Sequence, residues 1–162
     1  MNGSICNTLI TRITNAIIRQ EGALPTSTNP GNLRDCPWFP ILMKDGKPWI
    51  PPLADPKPEF IRYYPDSEDS AGEVEYVLFT PRGFWIPRTR AEGIAGIAHV
   101  VGLHVAEGDT LTGFIAGRPG YPGFAPKADG NDPVTYIRNV SLWAQIPDAT
   151  RPMSNYITGS TP

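Results

Sequence analysis

The sequence has few of the residues that usually bind metals. Only two cysteines and two histidines occur among its 162 residues. Cys6 and Cys36 form neither a Cys-x-x-Cys pair nor a Cys/His cluster, so no zinc site is predicted. His99 and His104 are five positions apart on a predicted helix and therefore lie on different faces, which argues against a shared metal ion. We expect no metal or other cofactor, and the sequence leaves open whether the cysteines form a disulfide.

The chain also lacks a long apolar run and a strong excess of charge. No segment approaches the roughly 20 apolar residues that a membrane-spanning helix needs, and the N-terminus has no basic region followed by an uninterrupted apolar core. We therefore expect no membrane span and no ordinary signal peptide, with synthesis in a cytoplasm. The formal net charge of −2 disfavours binding to nucleic acid or to anionic membranes. The length predicts a single domain over residues 1–162, and the oligomeric state is open.

An apolar helix near the N-terminus ends in a single carboxylate, Glu21. Ser4 is a suitable N-cap, and Gly22 is a suitable stop. Apolar residues follow at intervals of four, and the next step of the same interval reaches Glu21; they are Ile5, Leu9, Ile13 and Ile17. A carboxyl on an apolar stripe loses hydration, and such surroundings favour the protonated form that a general acid needs near neutrality. We therefore predict Glu21 as a catalytic general acid, the alternative being a helix-terminal Glu that turns into water.

A polar turn with the sequence Asn-Pro-Gly-Asn-Leu-Arg follows the helix at residues 29–34. Pro30 fixes one φ angle and Gly31 can adopt a positive one, so the chain is expected to reverse here. Such turns are usually structural. Beside a desolvated acid, however, Asn32 and Arg34 are suited to hold a sugar hydroxyl or N-acetyl group.

These two segments resemble a known family. Residues 19–22 (Arg-Gln-Glu-Gly) together with residues 29–34 look like the start of a phage-associated peptidoglycan-lytic domain of the lysozyme superfamily, related to goose-type lysozymes and lytic transglycosylases. The similarity continues at residues 124–126 (Phe-Ala-Pro) and in the helical segment that follows residues 129–133 (Asp-Gly-Asn-Asp-Pro). It covers residues 4–34 and roughly 79–146.

The resemblance implies an α+β, predominantly α-helical, lysozyme-like fold with a small β-hairpin and a Pro-rich insertion at about 37–70. It implies that Glu21 protonates the β-1,4 glycosidic oxygen between N-acetylmuramic acid and N-acetylglucosamine, and that Tyr136 hydrogen-bonds to Glu21 or to the substrate. Phe79 and Phe124 are expected to line the site. The family often has a second Asn where Thr28 stands and a hydroxylated aromatic in place of Phe124, so both positions depart from its pattern. The expected partner is the glycan of peptidoglycan. The protein is expected to act on the bacterial cell wall, either in the periplasm or as part of a virion.

The remaining sequence predicts the elements around this site. Residues 76–79 and 84–86 are expected to form a hairpin, and a smaller one is expected at Asp45-Gly46. The proline density of residues 37–70 excludes long helices and central strands, and the aromatic residues there should pack on the domain. A glycine-containing helix over residues 89–106 is expected to pack closely against the Glu21 helix.

Two further helices are predicted in the C-terminal part. Asp109 or Thr110 should cap a short helix, and Asp132 with Pro133 should begin another one. The second helix should direct four residues towards the core: Val134, Ile137, Val140 and Ala144. The tail after Pro147 is expected to be irregular and frayed.

A second catalytic carboxylate is not evident. Asp109 and Asp132 are explained as helix caps, and the other candidates, Asp35, Glu92 and Asp129, as surface charges. A lone Glu suits participation by the N-acetyl or the 6-hydroxyl group of the substrate, with Glu21 acting first as acid and then as base; hydrolysis and transglycosylation both stay open. The alternatives to an enzyme are a phage structural protein that keeps the fold without turnover and a carbohydrate-binding module.

Overall fold

The computed structural model describes residues 3–34, 43–44, 47–48, 60–68, 74–79 and 84–157. Helix predominates over strand in these ranges, in agreement with an α-dominated class. The chain divides into two compact units, here called the terminal unit (Met1–Gly22 and Ala98–Pro162) and the central unit (Ala23–Ile97). The predicted packing of the aromatic side chains between 37 and 70 lies outside what the structure describes. No helix in the described ranges has both the length and the apolar character needed to cross a membrane.

The terminal unit is helical. Its α-helices are α1 (Gly3–Glu21), the C-terminal part of α2 (Arg90–Ala106), α3 (Leu111–Ala116) and α4 (Pro133–Ala144), with short 3-10 helices at Lys127–Asp129 and Met153–Tyr156. The tail after Pro147 was predicted to be irregular and frayed. It is irregular apart from the second of these 3-10 helices, but it is not frayed as far as Ile157. Met153 is fully buried and its N–H donates to the Asp109 carbonyl, which anchors the tail.

Helices α1 and α4 pack against each other along apolar stripes. On α1 the predicted stripe is confirmed for Leu9, Ile13 and Ile17, which are buried, while the side chain of Ile5 lies outside the described part. On α4 the buried stripe is Tyr136, Val140 and Ala144, whereas Val134 is 76% exposed. The predicted inward orientation of Val134 is therefore wrong. Residues at intervals of four share a helix face, and Val134 lies two positions before Tyr136, on the opposite side.

The helix starts follow local hydrogen bonding. The carboxylate of Asp132 accepts from the Thr135 N–H at 3.2 Å, and Pro133 is the first residue of α4, as predicted. The Thr110 hydroxyl accepts from the Gly113 N–H at 2.9 Å and so caps α3. Of the two candidate caps for α3, Thr110 therefore has this role, and the explanation of Asp109 as a helix cap is wrong.

Asp109 is instead a buried hub. Its carboxylate lies 2.6 Å from Arg118 Nε and 2.5 Å from His104 Nδ1. Burial opposes ionisation of Asp109, but the hydrogen bonds from Arg118 and His104 outweigh it, so the pKa of Asp109 is lowered. Burial and the nearby Asp109 charge raise the pKa of Tyr121 to about 12. The hub joins the end of α2, the start of α3 and the Arg118–Tyr121 turn.

The central unit contains both predicted hairpins. Strands β1 (Met43–Lys44) and β2 (Lys47–Pro48) pair antiparallel around positions 45 and 46, and β4 (Val74–Phe79) pairs with β5 (Trp85–Ile86). Strand β3 (Phe60–Glu68) was not predicted; it pairs with β4 from the edge of the sheet. Its register shifts between Tyr63 and Glu68, the interval that contains Pro65. Proline is compatible with an edge strand at such an irregularity because it has no N–H to donate.

Two glycines of α2 have different surroundings. A Cβ on Gly93 would overlap the carbonyl oxygen of Thr28 and lie 3.1 Å from Pro30 Cδ. A Cβ on Gly102 would lie 3.5 Å from Ile10 Cδ1 of α1, an ordinary contact. The expected explanation by close packing against α1 is therefore wrong for both glycines: Gly102 has room for a Cβ beside α1, and Gly93 is needed by the turn at residues 28–30.

We predict that Gly93→Ala lowers the free energy of unfolding by about 1–3 kcal/mol, because the methyl group displaces backbone atoms that cannot move separately. The matched change Gly102→Ala should be neutral or stabilising by up to about 1 kcal/mol, since alanine favours helix. Urea unfolding of both variants measures this. Equal effects would contradict the assigned packing of Gly93.

We further predict that Asp109→Asn lowers the free energy of unfolding by about 1–3 kcal/mol near neutral pH, because Arg118 and His104 lose a charged acceptor. The pKa of Asp109 is lower in the folded than in the unfolded chain, for which the ordinary value is 3.8. Its stabilisation is therefore present above pH 3.8 and is lost as the pH falls through the lowered folded pKa.

Thermal unfolding between about pH 7 and about pH 3 tests this dependence. The stability of Asp109→Asn should fall less steeply with acid than that of the wild type. The control is Glu107→Gln, which removes an exposed carboxylate that also binds Arg118. This change should lower the free energy of unfolding by less than about 1 kcal/mol. Parallel acid curves for wild type and Asp109→Asn would contradict the prediction.

Candidate functional site

Glu21 and Tyr136 meet at one end of the α1–α4 pair. Glu21 is the last residue of α1, and Gly22 ends the helix with a positive φ of 60°. Tyr136 lies in the first turn of α4 and is buried. Its hydroxyl donates a hydrogen bond to Glu21 Oε1 at 2.7 Å. This is the contact that the family resemblance led us to expect, while the roles of both residues stay predictions.

The surroundings of Tyr136 keep its phenol protonated. Burial, followed by the charge and the hydrogen bond of Glu21, raises the pKa of Tyr136 far above its usual value. The phenol is therefore a hydroxyl donor at every physiological pH. Glu21 itself is half-buried, so its carboxyl is held at the boundary between the apolar helix interface and solvent.

Phe124 completes the group of predicted site residues in the terminal unit. Its half-buried ring meets the Tyr136 ring edge-on, with centroids 6.4 Å apart, and contacts Phe114 at 5.4 Å. The backbone N–H of Phe124 donates to the Phe114 carbonyl at 2.8 Å. Phe124 thus lies next to Tyr136 of the Glu21–Tyr136 pair and contributes an aromatic ring without a hydroxyl.

The other predicted substrate-binding residues belong to the central unit. Asn32 and Arg34 are exposed, and the Arg34 guanidinium lies 5.2 Å from the Phe84 ring centroid. Asn32 has a left-handed backbone with φ of 50°, which asparagine tolerates better than most residues. Phe79 is the last residue of β4 and pairs with Phe60 and Trp85 in the sheet. The structure thus groups Glu21, Tyr136 and Phe124 in one unit and Asn32, Arg34 and Phe79 in the other.

Asn29 organises the turn that carries Asn32 and Arg34, a role that the sequence interpretation missed. Its buried amide donates to the carbonyl oxygens of Leu33 at 2.9 Å and Trp85 at 2.7 Å, and its Oδ1 accepts from the Leu33 N–H. The Trp85 N–H in turn donates to the Leu33 carbonyl. The preference of asparagine for bonding to its own turn backbone was the signal available in the sequence.

Two further contacts tie α1 to α4 next to Glu21. Asn139 Nδ2 donates to Gln20 Oε1 at 2.9 Å, and the Arg19 guanidinium lies 4.1 Å from the Trp143 ring centroid. Neither was predicted. On α4 the partners Tyr136, Asn139 and Trp143 are three and four positions apart, a spacing that places them along one helix face.

One group of side chains in the described residues has the composition of a cation site. His104, Glu107 and Asp109 have ligand atoms within 4.8 Å of one another. The guanidinium of Arg118, however, bonds to both carboxylates. A cation already balances their charge, so the geometry is that of an ion-pair hub.

A surface depression of about 450 Å³ lies at the other end of α4. It is lined by Ser141, Leu142, Gln145, Ile146 and Pro147. None of the predicted site residues belongs to it, so the depression is not assigned to the candidate site.

Comparison of the chain with models of protein families, with curated proteins and with solved structures yields no match.

We predict that Asn29→Leu lowers the free energy of unfolding by about 2 kcal/mol or more, because it leaves buried backbone groups of Leu33 and Trp85 without partners. The control in the same turn is Asn32→Gly, which should change it by less than about 1 kcal/mol since glycine adopts a positive φ freely. Chemical denaturation followed by circular dichroism compares the two. A loss as large for Asn32→Gly would contradict the special role of Asn29.

Proposed function

We propose that this protein is a peptidoglycan-degrading muramidase with a lysozyme-like domain. It cleaves the β-1,4 bond between N-acetylmuramic acid and N-acetylglucosamine, with Glu21 as general acid and base. The observation that carries the proposal is the 2.7 Å hydrogen bond from the buried Tyr136 hydroxyl to Glu21. It joins the two residues, 115 positions apart, that the resemblance independently assigns to the reacting end of the site.

The chemistry follows from the atoms of that pair. The Glu21 carboxyl transfers its proton to the glycosidic oxygen as the bond to the sugar carbon breaks. The carboxylate that remains accepts a hydrogen bond from Tyr136, whose phenol keeps its own proton because its pKa is strongly raised by burial and by Glu21. Glu21 then acts as base towards either water or the 6-hydroxyl group of the muramic acid residue.

The bonding of three further acidic residues in the described part of the chain supports a mechanism with one carboxylate. Two-carboxylate glycosidases hold the groups about 5 Å or about 6.5–9.5 Å apart. Asp109 is bound to Arg118 and His104, and Asp132 caps α4. Glu92 accepts from the Arg88 N–H. Each of the three has a structural role, which favours participation by the substrate's own N-acetyl or 6-hydroxyl group.

The remaining predicted residues supply the binding functions. Phe124 offers an apolar face suited to a sugar ring, next to the Glu21–Tyr136 pair. Asn32 and Arg34 are exposed polar residues of the central unit, on a turn whose backbone is hydrogen-bonded by Asn29. The protein is made in a host cytoplasm and acts on the bacterial cell wall, either released at lysis or carried by a virion.

We predict that Glu21→Gln abolishes the loss of turbidity of purified cell walls while binding to the walls is retained, because the amide keeps the shape but has no proton to transfer. The matched control is Glu107→Gln, the same chemical change at an exposed residue of the same unit, which should keep full activity. Turbidity and co-sedimentation assays measure both properties. Full activity of Glu21→Gln would remove Glu21 from the mechanism.

The released fragments identify the reaction further. Mass spectrometry detects a 1,6-anhydro end if the internal hydroxyl completes the reaction and a reducing end if water does. A wild-type protein that binds cell walls without cleaving them would instead favour a glycan-binding or structural protein of a phage particle.

A further inference from the structure

Three consecutive residues at the end of α1 each contact α4. Arg19 stacks on Trp143, Gln20 accepts from Asn139 and Glu21 accepts from Tyr136. The last two contacts are neighbouring hydrogen bonds of 2.9 and 2.7 Å between the same two helices. The Gln20–Asn139 bond is partly buried, so it is shielded from competing water.

The position of Glu21 makes such a contact important. It is the final residue of α1, and Gly22 leaves the helical conformation at once. The last turn of a helix lacks following residues that would hydrogen-bond its carbonyl groups, and helix ends open more easily than helix centres. The direction of the Glu21 side chain therefore depends on what holds this turn against α4.

We propose that Gln20 and Asn139 are positioning residues for Glu21. Their hydrogen bond fixes the last turn of α1 relative to the first turns of α4 and so keeps the Glu21 carboxyl against the Tyr136 hydroxyl. The catalytic consequence rests on the proposed function. Neither side chain contacts the reacting atoms; their effect reaches the substrate only through the orientation of Glu21.

Arg19 provides a natural comparison within the same turn. Its side chain is exposed and its contact with Trp143 lies one residue farther from Glu21. Loss of that contact removes an attraction between the same helices but no hydrogen bond adjacent to the carboxyl. A purely stabilising role of the α1–α4 contacts would make Arg19 and Gln20 equivalent, whereas a positioning role separates them.

The test uses Gln20→Leu, Asn139→Leu and the double variant, with Arg19→Leu as control, in the full chain. On purified cell walls we expect each single change to lower kcat by about tenfold or more with KM nearly unchanged, because small misplacements of a catalytic group are costly. The double variant should be no slower than the single ones, since both changes break one bond. Arg19→Leu should keep the wild-type kcat. The compensating pair Gln20→Asn with Asn139→Gln, which retains the combined side-chain length, should recover most of the activity.

A second measurement is independent of turnover. The Cζ carbon resonance of Tyr136 reports the hydrogen bonding of its phenol, and it should shift in Gln20→Leu and Asn139→Leu but not in Arg19→Leu. An unmoved resonance with full kcat in Asn139→Leu overturns the positioning role. If the wild type is inert on cell walls, the proposed function fails, while the Tyr136 resonance still decides whether Gln20 and Asn139 hold Glu21 in place.

Discussion

The antiparallel packing of α1 on α4 is the constraint on which the candidate site depends. The buried stripes of the two helices, Leu9 to Ile17 and Tyr136 to Ala144, determine which residues meet at their ends. Full burial of one aliphatic side chain contributes about 1.5–3 kcal/mol, against about 0.5–1.5 kcal/mol for a typical hydrogen bond. Apolar packing therefore sets the register of the helices, and the polar contacts at Gln20 and Glu21 refine the orientation within it.

In each unit a buried polar side chain joins different structural elements. In the terminal unit Asp109 connects α2 to the Arg118 turn, and in the central unit Asn29 connects its own turn to Trp85. Both side chains are satisfied by several partners at once. A buried group of this kind stabilises one arrangement of the chain because every alternative leaves it without those partners. These bonds favour one conformation of the turn that presents Asn32 and Arg34.

The sequence predicted best what depends on local periodicity and capping. The stripe of α1, the Asp132 cap with Pro133 and the β4–β5 hairpin all follow from spacing and turn chemistry within a few residues. The predicted inward face of α4 was wrong at Val134. Several faces of this helix carry apolar residues, and only packing against α1 determines which of them is buried. The Gln20–Asn139 bond joins residues 119 positions apart, and no local pattern encodes such a pairing. The Asp109 hub is more local, with partners five and nine positions away, but the carboxylate was assigned to a helix cap. The Glu21–Tyr136 contact was expected from the family resemblance alone.

The distance along the chain between Glu21 and Tyr136 has a consequence for biosynthesis. The chain leaves the ribosome N-terminus first, so α1 emerges long before α4. Glu21 of α1 and its partner Tyr136 of α4 are 115 positions apart. Contacts of such high sequence separation form late, after the entropy of closing a long loop has been overcome. The hydroxyl that orients Glu21 is thus absent while α1 first emerges, and the pair can assemble only after Tyr136 has left the ribosome.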